Sequence, residues 1–140
     1  RSARKNFELS GLDAEAHEFV AEDVFDFLER SLERGRSFDL VICDPPSFAS
    51  SEKALKQGLK AYKRVNEMAL RSVARGGTFC SASCSSHISS NHMLEILADA
   101  SRGALRELVV IDERGAAADH PVRPSFPEGR YLNFLLCAVD

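Results

Sequence analysis

The sequence contains no long hydrophobic run. Its longest apolar stretches, such as residues 132–139, are far too short to span a bilayer. The basic residues at 1–6 are followed by an acidic amphipathic stretch and not by an apolar one, so the beginning of the chain does not resemble a secretion signal. Repeats, low-complexity tracts and Gly/Ser-rich linkers are also absent. With 44% hydrophobic and 28% charged residues, the sequence predicts a single domain over residues 1–140 and no membrane segment.

Cysteine pairs with the spacing of a metal or redox motif are absent too. The four cysteines are Cys43, Cys80, Cys84 and Cys137, and no two of them form a CxxC pair. Three of them lie in or at the ends of apolar segments, which favours a reduced, cytoplasmic setting over a disulfide framework. A zinc site made of Cys80, Cys84 and His87 would lack an evident fourth ligand, so we expect no metal site.

The sequence also lacks a strong excess of positive charge. The chain has 18 basic and 21 acidic residues, and its net charge of −3 argues against a protein that coats nucleic acid. It does not exclude an enzyme of RNA whose basic surface is local, or lies on a part of the protein outside this sequence.

Hydrophobic periodicity predicts alternating helices and strands. Helices are expected over residues 1–11, over 23–35, from Ser50 or Ser51 to Gly76-Gly77, and through Met93, Leu94 and Leu97 to Gly103. Strands are expected over residues 17–21, Phe38–Cys43, 78–83, 108–111 and 132–139. This order predicts a doubly wound α/β fold, Rossmann-like, with a mostly parallel sheet and an antiparallel last strand.

Polar clusters follow three of the predicted strands, at residues 22–23, 44–48 and 83–87. Because ligands bind beyond the carboxyl ends of the strands in open α/β sheets, we expect the clusters to meet at one edge. Asp44, held by Pro45 and Pro46, could hydrogen-bond a base, or it could simply cap the turn. Cys84 lies in a serine-rich loop, where it could be a nucleophile or a small buried apolar residue.

Six segments resemble the large-subunit ribosomal RNA cytosine-C5 methyltransferases over nearly the whole chain. They are AEDVFDFL (21–28), FDLVICDPPSF (38–48), AYKRVNEMAL (61–70), GGTFCSASCSSH (76–87), ADHPV (118–122) and FPEGRYLNFLLC (126–137). The DPPSF segment is shared with RNA methyltransferases that act on guanine or adenine, and is only moderately specific. The cysteine of SCS together with DHP and FPEG is more specific.

The resemblance implies a class I methyltransferase that uses S-adenosylmethionine on a cytosine turned out of its stack. Cys84 would attack C6 of the ring, and Asp44 would bond the cytosine edge. Asp23 would bind adenine in addition to capping a helix. The site residues it implies are Cys84 and Asp44 for catalysis, Asp23, Val24 and Asp44 for the cofactor, and Pro45, Pro46 and Phe48 for the base pocket.

The resemblance also implies that parts of the family's pattern precede this sequence. A glycine-bearing cofactor loop, an acidic residue for the ribose, and an N-terminal RNA-binding barrel domain would all lie before Arg1. We therefore expect a truncated catalytic domain without its first two strands, which binds S-adenosylmethionine poorly and is inactive by itself. The exposed edge of Phe38–Cys43 would then pair with residues 17–21 or form a homodimer.

Two other functions fit parts of the pattern. The target could be guanine or adenine in RNA, with Cys84 playing no part, or the chain could be a non-catalytic module for binding or dimerisation. Tyr62, Lys63 and Asn66 match a family segment, and could contact RNA or pack the helix.

Overall fold

A computed structural model describes residues 2–49 and 51–140, which form four helices and a four-stranded sheet. In chain order the elements are α1 (Ser2–Leu9), α2 (Val24–Glu33), β1 (Phe38–Cys43), α3 (Leu55–Arg71), β2 (Val73–Ser83), α4 (Ser90–Ala104), β3 (Leu108–Arg114) and β4 (Asn133–Val139). Short 3-10 helices lie at Ala14–Ala16, Glu52–Ala54 and Pro127–Gly129. Among the described residues, no helix is both long and apolar enough to cross a membrane.

The sheet has the strand order β1-β2-β4-β3. Strand β1 is parallel to β2, whereas β4 is antiparallel to both β2 and β3, so that β1, β2 and β3 point the same way. The predicted α/β fold with an antiparallel last strand is therefore confirmed. The two crossovers run through α3 and α4, which pack against each other.

Helices α3 and α4 cover one face of the sheet and enclose the core. Phe79 and Leu135 of the sheet are buried there against Tyr62, Leu70 and other residues of the helices. On the opposite face, Leu40 is 54% and Ile42 is 63% exposed. Among the described residues, the long helices α3 and α4 therefore lie on one face of the sheet.

The predicted strand at residues 17–21 is not formed. The segment has no regular secondary structure and pairs with no strand of the sheet. Phe7 of α1 instead packs edge-on against the rings of His17 and Phe19, at 4.9 and 5.0 Å between centroids. The expected pairing of this segment with β1 is therefore wrong, and β1 is an edge strand among the described residues.

The prediction that Gly76-Gly77 closes the third helix is wrong as well. Helix α3 ends at Arg71, and Ser72 caps it by donating its hydroxyl to the Ala69 carbonyl oxygen at 2.6 Å. Strand β2 begins at once, because Val73 is buried and pairs with Phe38. The two glycines form a bulge in β2, where Gly76 has a φ of +71° that favours glycine.

The helix boundaries near the polar clusters follow capping chemistry. Asp23 caps α2 as predicted, and Gly35, with a φ of +64°, follows its end. Ser51 caps the 3-10 turn Glu52–Ala54 that leads into α3, while Ser50 lies outside the described residues. The two caps fix where the loops at residues 22–23 and 44–49 begin and end.

Candidate active site

The loops after β1 and β2 leave the sheet side by side. Cys43, the last residue of β1, pairs with Ser81 of the parallel strand β2. Asp44 follows Cys43 directly, and Cys84 follows the last residue of β2. The predicted clusters at residues 44–48 and 83–87 therefore begin at the same edge of the sheet.

A groove of about 670 Å³ joins the cluster at residues 22–23 to the loop that follows β1. Its wall contains seven residues of the clusters and their flanks: Asp23, Val24, Phe25, Asp44, Pro45, Pro46 and Phe48. The remaining wall is mainly apolar and comes from α2, β1 and α3. The groove therefore brings together every predicted site residue except Cys84.

Asp23 combines a structural contact with a free oxygen atom. Its Oδ1 accepts hydrogen bonds from the backbone N–H groups of Phe25 at 2.8 Å and Asp26 at 3.4 Å. Oδ2 accepts no hydrogen bond from the described residues, and the side chain is exposed at the rim of the groove. The capping role is thus satisfied by one oxygen, and the other is available to a ligand.

Cys84 differs from the other three cysteines in its exposure. Its side chain is exposed, whereas Cys43, Cys80 and Cys137 are buried. Burial raises the pKa of the Cys43 thiol to about 12 and that of Cys137 to about 11. Burial also raises the pKa of Cys80. Exposure therefore makes Cys84 the accessible thiol among the four cysteines.

A buried tyrosine connects the loops that carry Asp44 and Cys84. The Ser83 hydroxyl donates to the Tyr62 hydroxyl oxygen at 3.0 Å, and Ser83 Oγ accepts from the Ser85 backbone N–H at 3.2 Å. Ser85 Oγ in turn donates to the backbone carbonyl oxygen of Ala49 at 2.7 Å. These hydrogen bonds therefore connect α3 to the end of β2, and the loop of Cys84 to the loop of Asp44.

The same helix holds β2 one turn further along. Asn66 Nδ2 donates to the Tyr62 carbonyl oxygen at 2.8 Å, and the Ser81 hydroxyl donates to Asn66 Oδ1 at 2.6 Å. Tyr62 and Asn66 are fully buried, so they pack the fold and are not exposed to RNA. Lys63 is partly exposed and lies 3.6 Å from the Asp99 carboxylate.

The pKa of Tyr62 reflects its position between the two loops. Burial raises this pKa, hydrogen bonds with Ser83 and with the Phe48 backbone oppose the rise, and the acidic groups of Cys84 and Asp44 add to it. Tyr62 is therefore a common support for the two loops.

Close packing fixes the loop of Asp44 against α3. The ring of Phe48 lies edge-on to that of Tyr62, with centroids 5.0 Å apart. A Cβ atom on Gly58 would lie 2.8 Å from Cβ of Ala49 and 2.9 Å from the Phe48 carbonyl oxygen. Glycine is thus required for this approach. The sequence does carry a signal for the support, because Ser81 and Ser83 lie on one face of β2 and Ser85 continues the same spacing into the loop.

The candidate zinc ligands do not form a metal site. Cys80 is buried and Cys84 is exposed, and the described residues include no group of three or more His, Cys, Asp or Glu side chains able to hold an ion.

The fold and the strand order define a class of structure that includes solved methyltransferases. A protein described as a methyltransferase, in complex with SAH, superposes with a TM-score of 0.79 at 20% identity, over 96% of this chain and 34% of that one. A protein from Streptococcus mutans, described as a SAM-dependent methyltransferase, gives 0.78 at 19% identity, over 94% and 33%. At this level of identity the likeness shows the fold.

Sequence relatives are more specific. Ribosomal RNA large subunit methyltransferase I of Erwinia tasmaniensis is 41% identical over 137 residues, which make up 98% of this chain and 35% of that protein. The protein of the same name from Photobacterium profundum is 42% identical over 138 residues, or 99% and 35%. The chain therefore spans about a third of the length of these relatives. No protein-family model matches it.

Proposed function

We propose that the chain takes part in the methylation of cytosine at C5 in ribosomal RNA, with S-adenosylmethionine as the methyl donor and Cys84 as the nucleophile. The observation that carries the proposal is the exposure of Cys84 on a loop tied through Tyr62 to the loop of Asp44. The names of the sequence relatives support ribosomal RNA as the target.

The reaction follows from what each side chain can do. The Cys84 thiolate forms a bond to C6 of the cytosine, which moves electron density to C5. Asp44 bonds the edge of the ring and, through a proton shared between its carboxyl group and the ring, stabilises the negative charge that builds there. S-adenosylmethionine, when bound, supplies an electrophilic methyl group. Loss of the C5 proton to a base then lets the bond between sulfur and C6 break, which returns the thiolate.

The groove fits the adenine end of the cofactor. Adenine needs an apolar slot and an acceptor for its amino group, and the groove offers an apolar wall with the unused Oδ2 of Asp23 at its rim. Val24 follows Asp23 in the sequence and also lies on the groove wall. Asp44 lies on the part of the wall formed by the loop after β1. Pro45, Pro46 and Phe48, also on this wall, would shape the pocket for the base.

The test is a covalent adduct with RNA that contains 5-azacytidine. A thiolate attacks C6 of this ring without any need for methyl transfer, so the adduct reports on the thiol alone. We expect the peptide that contains Cys84 to gain the mass of a nucleotide after nuclease digestion. Cys84→Ser should form no adduct, whereas Cys80→Ala should still form one.

Two outcomes would contradict the proposal. An adduct that survives in Cys84→Ser would assign the attack to another residue. Methyl transfer to guanine or adenine without any adduct would favour the alternative purine target, in which Cys84 has no part.

A further inference from the structure

The 3-10 turn Glu52–Ala54 and helix α3 together carry a row of positive charge on their outer face. Lys53, Lys56, Lys60 and Arg64, which we call the α3 basic stripe, follow one another at intervals of three or four residues. Such spacing places side chains on one face of a helix. All four are exposed, while the inner face of α3 is buried. The stripe is positive in a chain whose net charge is −3.

Several basic side chains outside the stripe form ion pairs with acidic side chains. The described pairs are Arg4–Glu15, Arg30–Glu22, Arg36–Glu18, Lys63–Asp99, Arg71–Glu67, Arg102–Asp99 and Arg114–Asp112. No member of the stripe pairs with an acid among residues 2–49 and 51–140. The unpaired basic residues of this helix and of the turn before it therefore all belong to the stripe, whereas Lys63 and Arg71 are paired with Asp99 and Glu67.

Helix stability does not explain this arrangement. Lys56 and Lys60, and Lys60 and Arg64, are like charges four residues apart, which repel each other on a helix surface. The first turn of α3 contains no acidic residue to offset them, although the helix dipole favours negative charge there. A bound polyanion would remove both unfavourable effects.

The stripe begins next to the candidate active site. Gly58 lies between Lys56 and Lys60 in the sequence, and its backbone touches the loop of Phe48 and Ala49. The same loop begins with Asp44 and is held by Ser85. Arg64, the last member of the stripe, lies over the ring of Phe25 in the groove wall, 4.4 Å from its centroid. An anion on the stripe would therefore lie beside the groove.

We propose that the α3 basic stripe binds the phosphate backbone of the RNA whose base enters the candidate site, an inference that rests on the proposed function. Residues four apart on a helix rise by about 6 Å, so that successive members can contact successive phosphates. None of the exposed large hydrophobic side chains lies on α3. A protein or membrane surface would require such side chains, whereas a phosphate backbone requires charge alone.

Binding of a fluorescein-labelled single-stranded RNA, followed by anisotropy between about 50 and 200 mM salt, tests the inference. The variant is K53Q/K56Q/K60Q, and the matched control is K5Q/R34Q/R75Q, which removes three exposed basic residues that also pair with no acid in the described chain. At about 0.7 released counterions per contact, the variant should bind about 100-fold more weakly near 0.1 M salt, with a salt slope smaller by about 2. K53R/K56R/K60R should bind like the unmodified chain.

Three results would overturn the inference. One is equal affinity of the glutamine variant and its matched control, and another is a loss of binding in the arginine variant. The third is binding of polyglutamate or anionic phospholipid vesicles as tight as that of RNA. The Cys84 adduct, measured separately at saturating RNA, shows whether the proposed function fails as well, because the stripe contributes nothing to the attack on C6.

Discussion

Tyr62→Phe removes one oxygen atom from the centre of the candidate site and leaves the aromatic packing intact. The lost hydroxyl accepts from Ser83 at 3.0 Å in a fully buried position. A buried hydrogen bond contributes about 1 kcal/mol, and an unmatched buried donor costs about 1–3 kcal/mol. Because Ser83 Oγ still accepts from the Ser85 N–H, we expect the free energy of unfolding to fall by about 1–2 kcal/mol. The melting temperature should fall by about 3–8 °C.

A double-mutant cycle with Ser83→Ala measures the bond itself. We expect a coupling energy of about 1 kcal/mol in urea unfolding, since either substitution alone breaks the same contact. The rate of the Cys84 adduct should also fall in Tyr62→Phe, because the loop loses its anchor. Ile96→Val is the matched control: it trims a buried side chain in α4 at a cost of about 1 kcal/mol, and should leave the adduct rate unchanged. Additive free energies in the cycle, together with equal adduct rates in Tyr62→Phe and Ile96→Val, would refute the role of Tyr62.

Four further outcomes are expected. One thiol per chain should react rapidly with a disulfide reagent at neutral pH, and the fast phase should vanish in Cys84→Ser, because burial keeps the others protonated. Folding holds the thiol pKa of Cys43 at about 12 and of Cys137 at about 11, so the folded chain retains protons that the unfolded chain loses. The contribution of these two thiols to stability should therefore be constant below about pH 8.5 and fall above it by up to about 1.4 kcal/mol per pH unit per thiol, which urea unfolding at several pH values above about 7 would test. Gly58→Ala should destabilise the fold by about 1–2 kcal/mol despite its better helix propensity, since its Cβ would overlap Ala49, and a gain in unfolding free energy would contradict this packing. If the free edge of β1 forms a homodimer, light scattering should show a dimer that Ile42→Lys converts to a monomer, whereas a monomeric parent chain would contradict it.

The sequence was informative where a local signal coincided with the tertiary structure. The apolar run Phe38–Cys43 is a strand because hydrophobic residues fill it, and Pro45 ends it because proline has no N–H for a ladder. Asp23 caps α2 through a contact with its own neighbours. In both cases the residues that decide the structure lie within a few positions of each other.

The errors arose where a distant partner decides the outcome. Residues 17–21 have a strand-like pattern, but a strand also needs a neighbour, and Phe19 packs on Phe7 instead. Gly76-Gly77 resembles a helix stop, yet pairing of Val73 with Phe38 starts β2 before the glycines are reached. Burial of Tyr62 follows from helical periodicity, whereas its hydroxyl partner on another element does not.

Helix α3 separates two requirements of the proposed function on its two faces. Its inner face holds Tyr62, which anchors the loops of Asp44 and Cys84, while its outer face carries the basic stripe. Because the side chains on the two faces share no contact, their effects should separate in kinetics. Loss of stripe charge should raise the RNA concentration needed for half-maximal adduct formation and leave the rate at saturation unchanged. Tyr62→Phe should lower the rate at saturation and leave that concentration unchanged, because it moves the thiol without touching the phosphates. If both variants changed the same kinetic parameter, the helix would act as a single unit, and RNA binding could not be distinguished from the placement of Cys84.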